Sequence, residues 1–152
     1  MTTSFNRIHF SSKSVKHNTP QGVFKELDEE FHFSFDPCKP PIVGNFKGDG
    51  LRDNWKGRVY CNMPYENILE WVQKGWEELC LRHCLLIVFL IPMRGAFWFK
   101  FLKRRGAEFR TCNKRIKFNN PKNKGHGAPF DSMVAILRSR DVKKYWKKLG
   151  IR

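Results

Sequence analysis

The run Leu85-Leu86-Ile87-Val88-Phe89-Leu90-Ile91-Pro92-Met93 limits the possible folds more than any other part of the chain. Its nine residues fall well short of the about 20 that a bilayer-spanning helix needs. Polar residues do not alternate along it, as they would in a strand with one wet face. Residues 85–91 therefore read as a parallel strand covered on both faces, which requires helices above and below a sheet.

The flanking periodicities supply those helices. Thr19 is a suitable N-cap with Pro20 at the first helical position, and Val23, Phe24, Leu27 and Phe31 recur at helical spacing, predicting a helix over 20–30. Ile68, Leu69, Val72, Trp76 and Leu79 do the same over 67–81. A short helix at Phe97, Trp98, Phe101 and Leu102 runs into Lys103-Arg104-Arg105-Gly106, with cations at its negative end and Gly as terminator. Strands are expected at 31–35, ended by Asp36-Pro37, at 58–61, 108–112, 115–118 and 133–137, and a basic helix at 141–149. Strands alternating with helices over 152 residues predict one α/β domain at 19–137, preceded by a polar arm at 1–18 and followed by a basic helix or tail at 138–152.

Charge divides the chain. Residues 1–99 carry 12 basic and 11 acidic groups, whereas residues 100–152 carry 17 basic and 3 acidic ones. Clustered cations attract phosphate and release its counterions, so the second part is expected to face a polyanion. Five cysteines without regular spacing fit a reducing cytoplasm better than a disulfide framework. Cys80, His83 and Cys84 lack a second ligand pair and flank the apolar run, so they read as packing and no metal is expected. No secretory leader or membrane span is expected, and neither a Gly-rich phosphate loop nor a nucleophilic triad is present.

The segment that carries chemistry is Asn62-Met63-Pro64-Tyr65, between a strand and a helix. Open α/β sheets place ligands at the carboxyl ends of their strands. An aromatic amino nitrogen is a poor nucleophile because its lone pair is delocalised. Two carbonyl acceptors, the Asn62 side chain and the Met63 backbone, would return electron density to that nitrogen as its bond to carbon forms. The Tyr65 ring suits stacking on an extruded base, and Pro64 fixes the turn.

Read in order, Thr19-Pro20, Glu30-Phe31-x-Phe33-x-Phe35-Asp36-Pro37-Cys38, Asp49-Gly50-Leu51-x-Asp53-x-Trp55, Val59 to Tyr65, and Trp71-Val72-x-Lys74 resemble the phage-type DNA N-6-adenine-methyltransferases of the Dam family. Arg115-Ile116-Lys117-Phe118 and Ala128-Pro129-Phe130-x-Ser132-Met133-Val134-Ala135-Ile136 are similar to that family's closing segments. The resemblance implies a Rossmann-like sheet, S-adenosylmethionine as methyl donor and adenine in double-stranded DNA as substrate, in the cytoplasm of a bacterial host if phage- or prophage-encoded. It implies catalytic roles for Asn62, Met63, Pro64 and Tyr65, and cofactor contacts from Thr19, Asp36, Pro37, Cys38, Asp49 and Asp53. Met63 stands where the family usually has proline. A catalytically inactive DNA-binding protein of the same fold is the alternative.

Spacing adds a constraint of its own. Only 22 residues, 37–58, separate Asp36 from Val59, where a full methyltransferase sheet places two strand-and-helix units. Each such unit takes about 30 residues, so the fold is expected to be an abbreviated, single-domain one. DNA contact then falls to the basic segment, with Arg115, Lys117, Lys122 and Lys124 as DNA-binding residues and Lys103, Arg104, Arg105 and Lys114 beside them.

Overall fold

The computed structural model describes residues 21–38, 49–93, 96–111 and 132–151. Along the chain run α1 (Gln21–Phe31), β1 (Gly57–Cys61), a 3-10 turn (Tyr65–Asn67), α2 (Ile68–Cys80), β2 (Cys84–Pro92), α3 (Phe97–Arg104), β3 (Glu108–Thr111), β4 (Ser132–Arg138) and α4 (Ser139–Lys148). The strands form one sheet in the order β1-β2-β4-β3. The long apolar run is thus a central strand, buried on both faces from Leu86 to Pro92 with Leu85 exposed, but it is parallel only to β1 and antiparallel to β4. The sheet is mixed because β4 arrives from the carboxyl edge, Ser132 pairing with Pro92 and Arg138 with Leu86. β3 then lies antiparallel to β4 at the other side of the sheet.

Alternation along β2 separates two cores. Ile87, Phe89 and Ile91 join Val59, Cys61, Met133, Ala135 and Leu137 on one face, where Val72, Trp76 and Leu79 of α2 and Trp98 and Leu102 of α3 cover them. Leu86, Val88 and Leu90 join Tyr60, Val134 and Ile136 on the other, under Val23, Phe24 and Leu27 of α1. The opposite pointing of successive strand side chains makes this division unavoidable.

The strand expected at 31–35 is shorter than its alternation suggests. Phe31 closes α1, His32 takes φ 53°, and the Asp28 carboxylate accepts the Phe33 N–H at 2.9 Å. Only Phe33 to Phe35 then runs beside β1, with one parallel bridge from Phe35 to Val59. Local capping by an Asx side chain took the residues that the pattern assigned to a ladder. The Ser34 N–H donates to the Arg58 carbonyl at 2.7 Å and the Tyr60 N–H to the Phe35 carbonyl at 3.0 Å. Arg58 also reaches back, its Nε donating to the Phe31 carbonyl.

Three arginines tie the elements together. Arg110 bonds Glu30 of α1 at 2.7 Å and Glu108 at 2.7 Å, and Arg138 meets the other Glu108 oxygen at 2.8 Å. Arg105 lies 3.4 Å above the Phe101 ring, 5.1 Å from that of Tyr145 and 5.3 Å from that of Trp76, linking α2, α3 and α4. Arg105 is therefore a packing residue rather than part of the DNA-facing cation cluster in which the sequence places it. Asp141 starts α4 by accepting the Arg138 N–H at 2.8 Å.

Helix α2 sits on β2 as closely as it does because position 75 is Gly. A Cβ there would meet Phe89 Cζ at 2.6 Å and both Ile87 Cδ1 and Trp55 Cζ3 at 3.0 Å, all on fully buried side chains. Gly75→Ala is expected to destabilise the protein by about 1–3 kcal/mol through overpacking. Gly22→Ala, in exposed helix with nothing within 4 Å of the new Cβ, should be neutral or stabilise by up to about 1 kcal/mol. Urea midpoints at unchanged slope would read both, and equal effects at the two positions would contradict the packing account.

Candidate active site

Parallel pairing of the stretch from Phe33 to Phe35 with β1, and of β1 with β2, puts three carboxyl ends side by side. Asp36-Pro37-Cys38 leaves the first, Asn62-Met63-Pro64-Tyr65 the second, and Pro92 ends the third. The Cys38 and Cys61 sulfurs lie 3.6 Å apart, so the first two turns touch. The Asp36 carboxylate closes its own turn by accepting the Cys38 N–H at 2.9 Å. Burial pushes the Cys61 thiol well above its ordinary range, and the neighbouring Cys38 and Asp36 add to the shift, so Cys61 remains a thiol.

The residues of the turn from Asn62 to Tyr65 are held in different ways. Met63, standing where a proline was expected from the resemblance, has a side chain only 2% exposed and packed in the α2-side core. Burial thus anchors this position where a ring would otherwise stiffen it. Pro64 takes φ −59° and ψ 134°, and its carbonyl accepts the Asn67 N–H at 3.2 Å, turning the chain into α2. Asn62 and Tyr65 are half-buried, and Tyr65 packs against both cores. Burial raises the Tyr65 phenol above its ordinary value while the Ser132 hydroxyl beside it pulls the other way, leaving a neutral ring at pH 7. Ser132 pairs with Pro92, so β2 and β4 complete the same edge.

The loop with Asp49 and Asp53 reaches this edge through Gly50. An added Cβ at Gly50 would overlap the Pro37 carbonyl oxygen and lie 2.7 Å from two carbons of the Trp71 ring. Only Gly permits that approach, which brings the loop against the turn of Asp36. Asp49 Oδ1 accepts the Leu51 N–H at 3.0 Å, and Asp53 Oδ2 accepts the Asp49 N–H at 2.7 Å. Both carboxylates therefore brace the loop, with the other Asp49 oxygen 3.5 Å from Arg52 Nε. Trp55 fastens the far end, its indole Nε1 donating to the Gly50 carbonyl at 2.6 Å.

Glu78 holds that fastening in place, a role the sequence reading missed. Its buried carboxylate accepts the Trp55 N–H at 2.9 Å, Lys74 Nζ at 2.5 Å and His83 Nδ1 at 2.7 Å. An acid among Trp76, Leu79 and other buried positions of an amphipathic helix, four residues after a lysine, was the available signal. His83 is thus a hydrogen-bond partner of Glu78, and burial with the nearby Glu78 charge pushes the Cys84 thiol up to about 12. Among the described residues no group of three His, Cys, Asp or Glu could hold a metal ion, and no helix is long and apolar enough to cross a membrane. Thr19, Arg115, Lys117, Lys122 and Lys124 lie outside the described residues, as do Lys114 and the strand expected at 115–118.

Burial by itself would raise the Glu78 carboxyl, but its bonds from Lys74, His83 and the Trp55 amide outweigh burial and leave it below its ordinary 4.5. The carboxylate's contribution is therefore complete above about pH 4.5 and is lost as pH falls through the lowered folded value. Glu78→Gln is expected to cost about 3 kcal/mol at pH 7 by breaking a buried pair. Urea midpoints from pH 7 to 3 should show wild type losing its advantage over Glu78→Gln only on the acid side. A constant difference would contradict the ion-pair account.

No curated protein and no solved structure matches the chain. The family described as DNA N-6-adenine-methyltransferase (Dam) matches residues 10–147, which is most of the chain and includes every described element of the sheet edge. Because that match spans most of its length, the chain belongs to the DNA N-6-adenine-methyltransferase (Dam) family.

Proposed function

We propose that the protein transfers a methyl group from S-adenosylmethionine to the 6-amino group of adenine in double-stranded DNA. The observation that carries this reading is the contact between the Asp36-Pro37-Cys38 turn and the strand that delivers Asn62, made through Cys38 and Cys61. It brings the turn that bears Asp36 against the strand that leads to Asn62 and Met63, which supports the reading. The donor set fits the cofactor: Asp36, Asp49 and Asp53 offer carboxylates to an ammonium and to ribose hydroxyls, with Thr19, Pro37 and Cys38 as further contacts. When bound, S-adenosylmethionine supplies an electrophilic methyl group on a sulfonium.

The residues of the chain do the rest. Asn62 Oδ1 and the Met63 carbonyl accept hydrogen bonds from the adenine amino group, and their pull strengthens as positive charge grows on the nitrogen, which loses one proton to water once the C–S bond has broken and the sulfur has left as a neutral thioether. Neutral Tyr65 stacks on the extruded base. Pro64 aims both groups. In this reading Phe35, β1, β2, β4 and β3 form an abbreviated Rossmann-like methyltransferase sheet within a single domain at 19–137, flanked by the arm at 1–18 and the basic tail at 138–152. Arg115, Lys117, Lys122 and Lys124 contact DNA, and the enzyme works in the cytoplasm, that of a bacterial host if phage- or prophage-encoded.

Asn62→Ala is expected to raise the barrier to transfer by roughly 3–4 kcal/mol, about a hundredfold or more in rate, while circular dichroism stays that of wild type. Transfer of labelled methyl to unmethylated plasmid DNA, followed by digestion with adenine-methylation-sensitive nucleases, reads this outcome. Wild-type turnover in Asn62→Ala would remove Asn62 from the site. Binding of cofactor and DNA by wild type without any transfer would favour the inactive alternative, for which the Met63 substitution in the turn is the motive.

A further inference from the structure

Phe97 is 80% exposed, more than any other large apolar side chain among the described residues. A single exposed apolar residue is ordinary on a protein surface, but this one has two unusual neighbourhoods. The first is its place at the sheet edge. It lies five positions after Pro92, which pairs with Ser132 beside the Tyr65 phenol, so even an extended chain keeps Phe97 within about 18 Å of that pair. It begins α3 on the carboxyl side of β2, where the Asn62 turn also lies, and Met93, 44% exposed, stands between.

The second is the charge around it. Trp98 and Leu102 supply the buried side of α3, so packing makes no use of Phe97. Lys100 and Arg104 follow at steps of three and four, which puts them on the same exposed helix face as Phe97. The helix, of sequence FWFKFLKR, carries no acid. An exposed aromatic on the carboxyl side of the sheet, within about 18 Å of the Tyr65–Ser132 pair and backed by a row of cations, is complementary to a duplex: cations to phosphate, ring to a base step.

Resting on the methyltransferase reading, we infer that Phe97 enters the DNA stack at the place the target adenine vacates, with Lys100 and Arg104 holding the adjoining phosphates. Extruding a base leaves a gap whose neighbours lose stacking, and an inserted ring restores part of that contact. Phe97 is thereby a positioning residue for the transfer: it keeps the duplex open while Tyr65 and Asn62 hold the base.

The test compares binding of the full-length protein to a duplex with one central abasic site and to the same duplex intact. Wild type should bind the abasic duplex about fivefold more tightly or better, because its gap is already open. Phe97→Ala should bind both alike, and Phe97→Trp should keep the preference. Lys100→Gln and Arg104→Gln should weaken binding to both duplexes and make the salt dependence shallower by about 1 each. The same variants are then assayed for methyl transfer to duplex and to heat-denatured DNA: Phe97→Ala should lose transfer to the duplex while keeping it on single strands. Thermal melting of Phe97→Ala should match wild type, since the ring is exposed. No abasic preference in wild type, or its persistence in Phe97→Ala, would overturn the inference. Absence of transfer to any DNA by wild type would instead fault the methyltransferase reading, while the binding comparison still decides the role of Phe97.

Discussion

Strand β2 has to bury both of its faces, and the rest of the structure follows from meeting that requirement. Ile87, Phe89 and Ile91 need α2 and α3, while Leu86, Val88 and Leu90 need α1. Gly75 lets α2 come down onto Phe89, and Glu78 on the next turn of the same helix then reaches the Trp55 amide. The packing that covers the central strand therefore also anchors the loop that carries Asp49 and Asp53. Stability and site geometry share these residues.

Adjacency at one sheet edge brings two turns together that lie far apart in the chain. Phe35 lies directly beside Val59, with 23 residues between them in the sequence, so the turn after Phe35 reaches the Asn62 turn without intervening pairing among the described residues. Close contacts then fasten the edge: sulfur against sulfur at Cys38 and Cys61, and backbone against backbone at Pro37 and Gly50. Met63 follows the same pattern, since burial of its side chain holds a turn residue in place.

Much of this was legible in the sequence because hydrophobic period is a strong signal. The continuous run at 85–91 identified the central strand, and the three-and-four spacing of Val72, Trp76 and Leu79 identified α2. What the period could not carry was direction and local competition. Nothing in a run of apolar residues tells a strand with one parallel and one antiparallel neighbour from one with two parallel neighbours, and β4 proved antiparallel. The Asp28 cap shortened the stretch after α1, a contest between side chain and ladder that alternation does not register. For the site, the Asn62 to Tyr65 turn was visible as a motif. The brace at Gly50 and the bond from the Trp55 amide to Glu78 were not, because both depend on partners far along the chain.

The central claim is that this shortened edge alone makes a cofactor site. Calorimetric titration of the full-length protein with S-adenosylmethionine, in the absence of DNA, tests it most directly. The account predicts saturable binding of one molecule per chain, weakened by about tenfold or more in Asp36→Ala through loss of a charge-assisted hydrogen bond. No measurable heat of binding, or an affinity unchanged in Asp36→Ala, would contradict it.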